Sequence, residues 1–148
     1  MSLAFTGRHG DVEIPWLTYA LLRDNVQHHL ERDHGAFTLL HRVSEALGEA
    51  PVRLPAAQFN RELQTVREQL LELPIEDLAM ATRTRALLHL QWPELGDASS
   101  QVVGPLRILG QLVIDARTLG DVFDATISEL LALNQDAGPE DEVEISDH

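Results

Sequence analysis

Cysteine is absent from this chain of 148 residues, which excludes disulfides, thiolate nucleophiles and every zinc or iron–sulfur site built on thiolate ligands. Lysine is absent too, so all eleven basic residues are arginine. No apolar run approaches the roughly 20 residues that a membrane-spanning helix needs. The opening MSLAFTGRHGDVEIPW lacks the basic segment and long apolar stretch of a secretory signal, so the expected setting is the cytoplasm, without membrane attachment. Phosphate-cradling glycine loops are missing, and Ser44, Ser99, Ser100 and Ser128 stand outside any Gly-x-Ser-x-Gly elbow. These absences point away from nucleotide and acyl-transfer chemistry, and the expectation is a protein that is not an enzyme.

What remains is a folding composition, 44% hydrophobic and 24% charged, in a length suited to one domain. Its formal net charge is −13, and Asp136, Glu140, Asp141, Glu142, Glu144 and Asp147 crowd six of the acids into the last thirteen residues. The rest of the chain keeps 18 acids against 11 arginines and is acidic in its own right. Such a balance disfavours direct binding to nucleic acid or an anionic membrane and favours a basic protein partner.

Helical spacing dominates the middle of the sequence. Trp16, Leu22, Val26 and Leu30 fall at helical steps after Pro15, and Phe37, Leu40, Val43 and Leu47 follow the interruption at Gly35. Phe59, Leu63, Val66, Leu70 and Leu73 trace the clearest stripe, opposite the solvated run Arg61, Glu62, Gln64, Arg67, Glu68 and Glu72. A fourth helix is expected to open at Pro74, with Ile75, Leu78, Ala79, Thr82 and Ala86 facing inward. Residues 102–119 are apolar around most of a helix, which suits a central helix or one buried between two copies. After Gly120, Asp121 can cap a last helix that runs through Ile127 to about Gln135.

The expected fold is therefore all-α, a compact bundle of five to six helices over residues 15–135. Residues 1–14, in which Val12 and Ile14 alternate briefly, remain an unassigned arm, and residues 136–148 are expected to form a mobile acidic tail.

The densest ionisable cluster is HHLERDH at residues 28–34, followed by His41. Glu31 and His34 have the Glu-x-x-His spacing that di-iron bundles place on two helices, but a second copy and the His-Glu-x-x-His zinc motif are absent. With His89 as a further ligand, histidines from separate helices resemble the metal arrangement of small DinB-like helical bundles. That resemblance implies a divalent-metal site drawn from His29, His34, His41 and His89.

The first expectation for function remains a protein-binding module of the immunity, antagonist or regulator kind, which binds or inhibits a basic protein. Glu62, Glu68, Glu72, Glu140, Asp141, Glu142 and Glu144 are its candidate contacts. A structural homo-oligomer is a further alternative, with residues 102–119 as the shared core.

Overall fold

A computed structural model describes residues 2–30, 38–46, 50–91 and 117–147. The chain is not all-α. Four antiparallel strands, β1 (Ser2–Gly7), β2 (Gly10–Pro15), β3 (Val52–Pro55) and β4 (Glu142–Asp147), form one sheet in the order β2-β1-β4-β3. Among the described residues the α-helices are α1 (Trp16–Leu30), α2 (Thr38–Arg42), α3 (Ala56–Leu70), α4 (Thr82–Gln91) and α5 (Gly120–Leu133).

Two corrections produce that change of class. The segment expected as an unassigned arm is a hairpin, because inward Leu3 and Phe5 alternate with Ser2, Ala4 and Thr6 and pair with Ile14 and Val12 across the Arg8-His9 turn. The segment expected as a mobile acidic tail supplies β4, which lies between β1 and β3. In Glu-Val-Glu-Ile-Ser-Asp, Glu142, Glu144 and Ser146 occupy one face, and Val143 and Ile145, both fully buried, occupy the other, with exposed Asp147 at its end. High charge there marks a strand with one wet face, not a chain too polar to fold.

The sheet's inner face, carrying Leu3, Phe5, Ile14, Leu54, Val143 and Ile145, packs against the helices. Phe5 lies 6.0 Å from the ring of Tyr19 on α1 and 6.3 Å from that of Phe59 on α3. Of the expected stripe on α3, Phe59, Leu63, Val66 and Leu70 are all fully buried. In α5 the inward residues include Val122, Phe123, Ile127 and Leu130. Its start is fixed by a reciprocal cap: the Asp121 carboxylate accepts from the backbone N–H of Arg117 (2.7 Å) and Thr118 (3.2 Å), while the Thr118 hydroxyl accepts from the Asp121 N–H. These bonds hold the Asp121 carboxyl below the usual carboxylate range.

The fourth helix begins later than its spacing suggests. Pro74 opens a single 3-10 turn (Ile75–Asp77), residues 78–81 run without helix, and α4 starts only at Thr82. Thr82 and Ala86 are exposed rather than inward. Of the expected central helix at 102–119, residues 102–116 lie outside the described residues, as do Glu31, His34 and Trp92, while Arg117, Thr118 and Leu119 are not helical and Thr118 bridges to Pro74.

The hairpin turn is tied to the link between α5 and β4. The His9 N–H donates to the Leu133 carbonyl (3.0 Å), and Asn60 on α3 donates to the Asn134 carbonyl (2.9 Å). Asp141 accepts from the Gly138 N–H (2.7 Å) and from Arg8 (3.2 Å), while its own carbonyl accepts from the Ala56 N–H. Gly7 sits so close that a Cβ there would meet the Asn134 side chain and, at 2.8 Å, Leu133 Cγ.

Truncating the fully buried Ile145 to alanine should lower unfolding stability by about 2–4 kcal/mol. Deleting residues 142–147 should abolish cooperative unfolding in a denaturant titration. A deletion variant with the parent's transition would rule out β4 as a structural strand.

Candidate functional site

Three helices cover one face of the sheet, and among the described residues no element covers the opposite face. Its outward positions are fixed by the register: Asp11 stands opposite Thr6, Thr6 opposite Glu144, and Glu144 opposite Arg53. Glu13 faces Ala4, and Glu142 faces Pro55. Asp11, Glu13 and Glu142 are exposed and Glu144 half-buried, and Arg53 is the one basic residue in the four strands. Thr6, Gly7, Arg53, Glu142 and Glu144 line a shallow hollow of about 260 Å³ on this face. The Ser2 hydroxyl donates to the Glu13 carboxylate across the hairpin.

Of the acids expected to meet a partner, Glu142 and Glu144 therefore share one surface, Glu68 and Glu72 are exposed on or just after α3, and Glu140 is exposed beside β4. Asp141 is half-buried in the turn described above.

Glu62 is different, being only 6% exposed. It accepts from the backbone N–H groups of Leu39 (3.4 Å) and Leu40 (3.3 Å), satisfying donors that the short α2 cannot pair internally. Tyr19 completes the hold by donating its hydroxyl to the Leu40 carbonyl at 2.6 Å. Burial pushes the Glu62 carboxyl up from its ordinary value, opposed by those two N–H groups and by nearby His41. The Tyr19 hydroxyl is likewise pushed up by burial.

A second concave region lies between α1 and residues 76–81. It is an open cleft of about 800 Å³ whose lining includes Asp24, His28, His29, Asp77 and Met80. Side chains of α1 hold the extended segment as a neighbouring strand would. The Asn25 amide donates to the Ala79 carbonyl (2.9 Å) and accepts from the Ala79 N–H (2.8 Å), and Asp24 accepts from the Ala81 N–H (3.1 Å). Asn25 is fully buried, and its amide also donates to Leu21.

The expected metal ligands do not converge among the described residues. His29 Nε2 is 2.7 Å from the Asp77 carbonyl, which can only accept, so that nitrogen carries a proton and is occupied. His28 meets the His29 ring edge-on at 4.7 Å. His41 belongs to α2, near Glu62. His89 falls within α4, and its side chain is outside the described set, as is His34. Among the described residues no group of three His, Asp or Glu is arranged to hold a metal ion. The DinB-like resemblance also presumed a helical bundle, which the sheet replaces.

Sequence reasoning missed Asp11, Glu13, Arg53, Asp24 and Asn25. The first three had a signal: Leu3, Phe5, Val12 and Ile14 alternate around a Gly-x-x-Gly turn, and Val52 and Leu54 alternate between Pro51 and Pro55. Asn25 had none, because its partner lies 54 positions away.

Because the folded-state carboxyl of Glu62 titrates above its ordinary 4.5, the folded chain holds a proton that the unfolded chain releases first. The resulting stability is present below the ordinary value and is lost as pH rises through the raised one. Glu62→Gln should therefore gain on the parent across that interval in denaturant titrations at stepped pH. Glu62→Leu, which orphans two N–H groups, should cost about 1–3 kcal/mol. A pH-independent difference between parent and Glu62→Gln would refute this account.

Among the described residues no helix is long and apolar enough to cross a membrane. No protein-family model, curated protein or solved structure matches the chain.

Proposed function

We propose that this protein is a non-enzymatic binding module that recognises a basic protein partner through the open face of its sheet, as an inhibitor or regulator would. The observation that carries the reading is the placement of Asp11, Glu13, Glu142 and Glu144 on one sheet face that no described element covers, with Arg53 as the single cation in the described strands. Strands lie about 4.8 Å apart, so acids on β2 and β4 sit about 10 Å from each other and can face several cations at once. In a chain of net charge −13, such a surface speeds encounter with a cationic protein and rejects acidic ones.

The fold gives these acids a fixed geometry that a mobile tail would lack. Glu142 and Glu144 extend from a strand paired on both sides, so less conformational freedom is lost when a partner docks. Placing acids on the solvent side of β4 also leaves the apolar side, Val143 and Ile145, free to build the core.

The test is affinity capture from the native cell with the parent and with the variant Asp11→Asn, Glu13→Gln, Glu142→Gln, Glu144→Gln. A basic protein should be retained by the parent, be lost by the variant, and be released as salt rises from about 50 to 500 mM, where screening becomes strong. A partner retained equally by both proteins and at both salt concentrations would overturn the reading.

A further inference from the structure

We propose that the free edge of β2 receives an extended, basic segment of the partner as a fifth strand of the sheet. This rests on the reading that the acidic surface recognises a basic protein, and adds how that protein is gripped.

The hairpin register decides which backbone groups are available. Gly7 and Gly10 flank a two-residue turn, and the pair beside such a turn exchanges both hydrogen bonds, so Gly10, Val12 and Ile14 bond inward to β1. The N–H and C=O groups of Asp11 and Glu13 then point away from the sheet. Pro15, the next residue in that phase, has no N–H to offer, as suits an edge. β2 is the first strand of the sheet, and both Asp11 and Glu13 are exposed.

The other edge is built differently. Carried across the sheet, the same phase turns Val52 and Leu54 of β3 toward β4 and leaves Arg53 and Pro55 facing out, with Pro51 just before the strand. Prolines at both flanking positions leave Arg53 as the only N–H donor on that edge, which blunts it against strand addition. The β2 edge has two donors and two acceptors in succession.

Side chains select the occupant. An added strand would lay alternate residues over Asp11 and Glu13 on the open face, where cationic side chains are favoured and acidic ones repelled. Its intervening residues would cover Val12, which is only partly buried and packs against the core. A second copy is disfavoured, because every register that uses both Asp11 and Glu13 sets acid opposite acid. The two acids therefore prevent edge-to-edge association of this chain with itself while admitting a strand of alternating basic and apolar residues.

The probe is an end-blocked octapeptide of alternating arginine and valine, added to the full chain at low salt. Its control carries the same charges but is N-methylated along its bonding edge. The unmodified peptide should slow amide hydrogen exchange at Asp11 and Glu13, and the control should bind about tenfold more weakly, since two backbone bonds are lost. Asp11→Asn with Glu13→Gln should weaken the unmodified peptide about fivefold. Equal, salt-sensitive binding of both peptides with no protection at Asp11 and Glu13 would overturn strand addition while leaving acidic recognition standing. Failure of the unmodified peptide to bind would also overturn strand addition, and the capture experiment above would judge the broader reading separately.

Discussion

The pairing of β1 with β4 is the constraint on which the remaining structure depends. Phe5 opposes Ile145 and Ala4 opposes Ser146, so the first and last described strands form the middle of the sheet. Without β4, the β1–β2 hairpin and β3 would share no hydrogen bonds, and the core would lose the apolar surface that Val143 and Ile145 present. An isolated hairpin is marginal in water, whereas four strands with one apolar face against helices hold together. The bonds that join the hairpin turn to the link before β4 reinforce the same junction.

Side chains repeatedly act where regular backbone pairing stops. Asn25 serves residues 78–81 as a strand edge would, Glu62 and Tyr19 hold opposite ends of the Leu40 peptide groups, and Thr118 with Asp121 closes the start of α5. Each answers the same requirement, that backbone groups removed from water find partners. In Glu62 that requirement outweighs the preference of a carboxylate for solvent.

Helical faces were legible because burial in a helix writes its period into ten or more residues, as in Phe59, Leu63, Val66 and Leu70. The strands were not, because each is four to six residues long and shows only two inward side chains. In β4 the alternation was masked by its own solvent face, where acids imitate the composition of a disordered tail. The acidic surface was legible as a total, but its location was not. Assigning Asp11, Glu13, Glu142 and Glu144 to one plane requires the pairing of β1 with β4, 138 to 144 positions apart, which no local pattern encodes. Glu62 shows the converse: its helical position reads as solvated, yet α2 packs over it and supplies its hydrogen-bond donors.

The position of β4 bears on how the molecule comes into being. Since Phe5 awaits Ile145, the sheet cannot close during synthesis until residue 145 has been made, 140 positions later. α1, α3 and α5 all precede β4 in the chain, so each is made before the strand that completes the sheet. Contacts spanning that length of chain carry a high closure entropy and slow the search for the native state. Pairing of β4 with β1 and β3 is thus the step that joins the hairpin and β3 into one sheet.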